Sequence, residues 1–304
     1  MGTPIQVTAT HLLDFEDVLN GRHLITVSAS TSLNPILLSL EQSPDYRTST
    51  ARGSFPKRRA SRPNQFRVHF RAGTEWGFLD LQPTLENYHA VQPLMRDRWL
   101  LVRCRAAGVD DCNAHIYEAD GAPRLSFHAG DGIEDVQATE RGRVWMSYFD
   151  EGVFGDTPLG RSGLACFDQD GRPVFRLDDL TDPVLRNMAD CDALNVCSDR
   201  ETWLYFYTGF PIVRLVDGKV AGDWPMPVAG SHGFAVGKER VLMVGGYNQG
   251  DSLFLGRLDT LEFEELTAAD REGQPLQKFR AFGRRDHLFL ATDESLHVVN
   301  LSRL

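Results

Sequence analysis

Residues 130 to 155 read GDGIEDVQATERGRVWMSYFDEGVFG, and the fold is decided by how this stretch divides. A tight glycine turn leads into a run from Ile133 to Ala138. A polar reversal, TERG, follows, and a second run from Arg143 to Tyr148 precedes a long loop. Both runs are too short for helices and rich in the branched and aromatic residues that fit a pleated surface. The stretch is a strand–turn–strand unit.

Working outward, the second run of this unit recurs. HLITVS begins at His23, RWLLVR at Arg98, RVWMSY at Arg143, TWLYFY at Thr202, RVLMVG at Arg240 and HLFLAT at His287. The last five are separated by 45, 59, 38 and 47 residues, and the first step, 75, must contain an insertion. Each follows another short apolar run across a polar turn, beginning with FEDVLNG ahead of His23. Further strands follow: HIYEAD-GAPRLSF and LACFDQD-GRPVFRL place Asp-Gly between alternating apolar runs, a hairpin signal. A repeat of 40 to 50 residues holding about four antiparallel strands is the size of one propeller blade. One blade cannot bury both of its faces, whereas a ring of blades can.

The expectation is therefore an all-β chain, a six-bladed β-propeller with a WD40-like repeat architecture, forming one domain over residues 1–304. The last repeat lacks a fourth strand, and PIQVTAT near the N-terminus is expected to supply it and close the ring. Five or seven blades are the alternatives, because the first 85 residues are hard to divide. Residues 43–65, rich in Ser, Pro and Arg, read as a flexible basic loop. Its cations (Arg47, Arg52, Lys57, Arg58, Arg59 and Arg62) offer contact to an anionic partner, although a solvated loop explains them equally.

Forty-two acidic residues against 32 basic ones give a net charge of −10, which argues against general affinity for nucleic acid or an anionic membrane. No apolar run approaches a membrane span, and the N-terminal residues lack a signal-peptide pattern. Five scattered cysteines without a CxxC pair suit a reducing compartment, so a cytoplasmic location is expected.

No motif names a reaction. The glycines of GDGIED lack the strand–helix context of a dinucleotide site, and RSGLA and GSHGF do not form a nucleophile elbow. What the architecture offers is convergence. In a propeller the turns leading into the innermost strands, and the loops joining second strands to third, share one face. That places His89, Glu134, Asp135, Asp190, Asp192 and His232 at the mouth of a channel, with Asn195 and Gln137 just below. The loop 150–163, with Arg161, and the rim residues 208–211, Tyr247 and Asn248 join them. Small neighbours on both sides of His232 leave room for a ligand to approach its imidazole.

Carboxylates and an imidazole in a concave site can divide acid and base roles or hold a hard cation such as Ca²⁺ or Mg²⁺. The expected roles follow. Glu134, Asp135 and His232 are the catalytic candidates, and His89, Asn195, Arg161 and Tyr247 bind substrate. Glu134, Asp192 and Asn195 are the metal candidates by residue type. For each carboxylate taken singly, turn formation or helix capping is the plainer reading. The cysteines read as small buried hydrophobes, and Cys191, between two carboxylates, as a poor nucleophile.

With those residues in view, GDGIEDVQ…RVWMSYFDEGVFG, DCDALNV…WLYFYTGFP and GSHGFAV resemble a group of uncharacterised bacterial propeller proteins over about residues 85–300. The arrangement resembles six-bladed propellers of the lactonase and TolB-like type. That resemblance implies a fold. The metal ligands of the lactonases cannot be matched residue by residue here. Two functions are consistent with these readings. One is small-molecule binding at the channel mouth, with metal-assisted hydrolase or lyase chemistry on a polar substrate. The other is a non-catalytic interaction propeller, a scaffold or immunity-type protein binding a protein partner through the same face.

Overall fold

The computed structural model describes residues 5–50, 53–247 and 249–304. The chain is all-β, a six-bladed β-propeller whose blades follow one another in sequence. It divides into two compact units, here the first unit (Val18–Asp178) and the second unit (Met1–Asp17 with Asp179–Leu304).

In the first unit, blade one pairs His23–Ala29, Pro35–Leu40, Phe66–Ala72 and Glu75–Asp80 in that order. Blade two pairs Ala90–Leu94, Arg98–Val102, Ala114–Tyr117 and Pro123–Phe127, and blade three Ile133–Ala138, Val144–Tyr148, Leu164–Phe167 and Pro173–Arg176. The apolar runs seen in the sequence owe their continuity to burial on both faces. Along Arg98–Val102, Trp99 and Leu101 pack with Leu38 and Val68 of blade one. Leu100 and Val102, pointing the other way, pack with Val136 and Met146 of blade three. Each such side chain contributes about 1.5–3 kcal/mol by leaving water. Side chains also join the inner strands: Ser28 donates to the Val91 carbonyl (2.9 Å), and Gln92 accepts from the Ala138 N–H (3.1 Å).

The second unit repeats the scheme. Blade four runs Asp190–Val196, Glu201–Tyr207, Pro211–Val216 and Lys219–Pro225, and blade five Phe234–Val236, Arg240–Val244, Ser252–Arg257 and Phe263–Ala269. Blade six contains Arg280–Arg284, His287–Ala291 and Ser295–Asn300. Along Arg240–Val244, Val241 and Met243 face blade four, and Leu242 and Val244 face blade six. Asp217 and Gly218, both with positive φ, turn the two-residue hairpin of blade four, as Asp-Gly between apolar runs predicts.

Three expectations need correction. PIQVTAT does not complete blade six. Its strand, Ile5–Thr8, adds a fifth strand to blade five, parallel to Phe263–Ala269, and the next strand, Thr10–Asp14, completes blade six against Ser295–Asn300. An N-terminal strand does supply the missing fourth, but it lies one strand further along. FEDVLNG is not the inner strand of blade one: Phe15–Leu19 is a short helix, and HLITVS itself is innermost. Its apolar residues, Phe15, Val18 and Leu19, have the i, i+3, i+4 spacing of a helical turn and not the alternation of a strand. Residues 43–65 are not loop throughout. Arg47–Thr50 and Gly53–Pro56 form a hairpin, and Arg59–Asn64 pairs with Thr84–Glu86. Arg52 lies outside the described residues.

Candidate functional site

The candidate residues of each unit stand on the same device, a β-bulge in an inner strand. In blade three the register passes from Ile133↔Tyr148 to Val136↔Met146, so Glu134 and Asp135 oppose a single residue. In blade four it passes from Asp190↔Tyr207 to Ala193↔Tyr205, so Cys191 and Asp192 do the same. An extra residue re-aims the side chains that a regular pleat would alternate. The motifs IEDVQ and DCDALN therefore present their second carboxylates at equivalent positions.

In the first unit, Asp135 is turned back on its own strand. Its Oδ1 accepts from the Val136 N–H (2.7 Å) and its Oδ2 from Gln137 Nε2 (2.9 Å). Glu134 is exposed beside Cys104. Burial, then the charge of Glu134, pushes the Cys104 thiol up to about 12 and keeps it protonated. His89 lies 5.0 Å from the Tyr46 ring, and burial followed by the Arg103 charge lowers its imidazole to about 4. Neutral near pH 7, it suits packing better than proton transfer.

Beside these residues a buried ion cluster fills the loops of blade two. Arg103, 0% exposed, donates from Nε to Glu86 (2.7 Å) and from Nη1 and Nη2 to Asp111 (3.1 and 2.8 Å). Arg59 bridges the same two carboxylates at 2.8 and 3.0 Å. Burial opposes ionisation of Asp111, but the Arg103 bonds, the Ala107 N–H and the two guanidinium charges hold it down at about 2. Arg105 joins Asp131 and Glu151 next to this group. The loop 150–163 folds into two short helices, Asp150–Val153 and Pro158–Arg161. Arg161 caps it from within, donating to the Gly155 carbonyl (2.8 Å) with Asp156 at 3.6 Å. Its guanidinium thereby closes its own loop.

The second unit is built differently. Strand Glu201–Tyr207 buries Trp203 and Tyr205 and lets Tyr207 emerge. The chain then turns through Gly209 and Phe210, and Phe210, at φ 54°, is held in a left-handed conformation that is rare for an aromatic residue. Its ring meets Tyr205 at 5.9 Å, Tyr207 at 5.4 Å and Tyr247 at 6.0 Å. Tyr247, 57% exposed, lies against Gly230, where any Cβ would strike its ring, and its N–H donates to the Ala229 carbonyl (2.9 Å). Tyr205 donates its hydroxyl to the Val228 carbonyl (2.5 Å) and accepts from the Ser231 N–H (3.4 Å). This bond fixes the turn that carries the exposed His232.

Asp192, 7% exposed, is close enough for its charge to act on Tyr205 and Tyr247. Burial, with the charge of Asp192 added, raises the Tyr205 hydroxyl, and desolvation followed by the charges of Asp192 and Asp190 raises that of Tyr247. The second unit thus brings together Asp190, Asp192, Tyr247 and the turn of His232. Asn248 lies outside the described residues. Sequence reading named those four but missed Tyr205, Tyr207 and Phe210 as one wall. The signal was YFYTGF, where a glycine follows an aromatic strand end.

Asn195 is committed to backbone. It donates to the carbonyls of Phe234 (2.8 Å) and Arg285 (2.9 Å) and accepts from the Arg285 N–H (2.7 Å), joining the inner strands of blades four, five and six. Among the described residues no group of three or more His, Cys, Asp or Glu side chains is placed to hold a metal ion. With Asn195 so occupied, the donor set around Asp192 does not fit the expected cation. Asp182, not Asp190 or Asp192, caps the short helix Pro183–Asn187.

No helix is long and apolar enough to cross a membrane among the described residues. No curated protein matches the chain in sequence. Among solved structures, virginiamycin B lyase from Staphylococcus aureus is similar at TM-score 0.52 and 10% identity, over 94% of this chain and 97% of that one. A catalytically inactive variant of that lyase with quinupristin is similar at TM-score 0.53 and 8% identity, over 96% and 98%. A streptogramin B lyase structure is similar at TM-score 0.50 and 11% identity, over 96% of each chain. At such identities the likeness establishes the propeller fold. In sequence, residues 164–299, spanning most of blade three's outer half to the end of blade six, match the model of the YxzG family.

Proposed function

We propose that the aromatic wall of the second unit binds a small polar molecule carrying a cationic group, and that Asp192 and His232 act on it as base and acid in lyase or hydrolase chemistry. One observation supports this reading: two carboxylates, Asp190 and Asp192, converge on an exposed aromatic wall of Tyr207, Phe210 and Tyr247. Aromatic faces attract an organic cation through the ring quadrupole, and the carboxylates neutralise it. His232, exposed on the adjoining turn, is accessible for proton transfer, which contributes about 10²–10⁴-fold where it operates. The propeller fold is shared with lyases, so it is compatible with such chemistry.

The test is a calorimetric screen of amine-bearing small molecules against their neutral isosteres. Amines should bind preferentially, Asp192→Asn and Tyr247→Ala should each weaken them at least tenfold, and turnover of a cognate substrate should collapse in His232→Ala. Equal affinity for amines and neutral analogues, or full affinity in Asp192→Asn, defeats the proposal.

A second reading rests on the loop 150–163 of the first unit, which presents Phe154 74% exposed on a scaffold held by Arg105 and Glu151. A rigid exposed aromatic is a typical anchor for a protein partner. A partner that co-purifies with the wild type and is lost in Phe154→Ala would favour an interaction propeller.

A further inference from the structure

The first unit contains a cavity at the opposite end of its strands from His89 and Glu134. It has a volume of about 430 Å³ and is framed by the turns of blades one and two. Its walls are apolar: Ile36, Phe70, Phe78, Leu79, Leu94 and Trp99. The Phe70 and Trp99 rings stand 5.1 Å apart, and Phe78 is exposed to solvent. Such a volume is within the range of small-molecule sites.

What distinguishes the cavity from a packing gap is Arg98. It lines the wall with its side chain only 10% exposed, and its Nε donates to Glu118 (3.1 Å). Among the described residues nothing accepts a hydrogen bond from its Nη1 or Nη2. These donors are open to the cavity, where a bound carboxylate accepts two parallel bonds from them. Glu118 does not supply that acceptor, because its other oxygen is held by Arg124 (2.8 Å). Of the remaining charged lining residues, Arg71 sits over the Trp76 ring at 4.7 Å and donates to the Thr74 carbonyl, and Asp97 is exposed at the rim.

We propose that this cavity is a binding site for a flat aromatic carboxylate, its ring between Phe70, Phe78 and Trp99 and its carboxylate on the Arg98 Nη1 and Nη2 donors. The site uses none of the residues of the aromatic wall in the second unit and selects the opposite charge.

The experiment titrates the full chain with 2-naphthoate and with neutral 2-naphthamide, following Trp fluorescence and heat. The naphthoate should bind saturably and at least tenfold more tightly than the amide. Arg98→Met should abolish that preference while retaining the amide. Ala119→Trp, which fills the cavity from an exposed position and leaves Arg98 and Glu118 intact, should block both. Should Arg98→Met fail to fold, the wild-type preference and the Ala119→Trp variant decide alone. Absence of saturable binding, equal affinity for the two probes, or undiminished binding in Ala119→Trp overturns the proposal.

Discussion

Blades three and four carry the same bulge in the same strand, yet their carboxylates have opposite fates. In blade three Asp135 accepts from its neighbours Val136 and Gln137, and the adjoining loops of blade two are filled by Arg103, Arg59, Glu86 and Asp111. In blade four the charge of Asp192 acts on Tyr205 and Tyr247. A bulge aims a side chain, but what it encounters decides whether it stabilises the fold or serves a ligand. Charges already saturated by arginine have little left to offer a substrate. Asp190 and Asp192 instead place their charges beside the exposed Tyr247.

Three measurements break or sharpen this comparison. The largest effect is expected from Arg103→Met, which removes the buried partner of Glu86 and Asp111 and leaves them only the half-exposed Arg59. The loss should be about 3–5 kcal/mol in urea unfolding, and a loss below about 1 kcal/mol would show that the cluster is not structural.

Next comes acid. His69 is buried against Ser39 and, by burial first and then the charges of Arg67 and Arg22, is lowered to about 4. His89 is lowered to about the same value. Both folded values lie below the unfolded one near 6.5, so the unfolded state binds more protons in that interval. Stability is therefore complete above about pH 6.5 and falls as pH drops toward 4, by up to about 3 kcal/mol for His69. Asp111, held at about 2, adds a further loss from about pH 4 downward. Unfolding midpoints at pH 7, 5.5 and 4 check the slope, which should flatten in His69→Gln.

The smallest effect on stability is expected where the effect on binding is largest. Asp192→Asn, which keeps the size of the side chain, should cost less in unfolding than Arg103→Met while weakening a cationic ligand tenfold or more. If it destabilised the fold as Arg103→Met does, blade four's carboxylate would be structural too and the contrast would vanish.

Parts of this were legible in the chain and parts were not. RWLLVR and RVLMVG announce strands buried on both sides, because alternate residues must find apolar neighbours in two different blades. Glu134, Asp135 and Asp192 were named as residues leading into inner strands, and they occupy bulges there. The roles of Asn195 and Arg161 were not legible. The first is spent on the carbonyls of Phe234 and Arg285, up to 90 residues away, and the second on a loop carbonyl whose direction no spacing predicts. The Arg103 cluster was hidden for the same reason, since Arg59, Glu86 and Asp111 come from three separate segments. The fourth strand of blade six was misplaced because Ile5–Thr8 and Thr10–Asp14 read alike as short strands, and only pairing tells them apart.

The amino-acid sequence alone determined the blades of this protein. Alternation, turn glycines and the length of apolar runs are properties of a few consecutive residues, and they are enough to specify a strand and the hairpin that returns it. Only the tertiary structure decided which carboxylates are paired with arginine and which stand beside tyrosines. That outcome depends on guanidinium groups, tyrosine rings and backbone carbonyls brought from distant segments, and electrostatic energy depends on distance in space, not on separation along the chain.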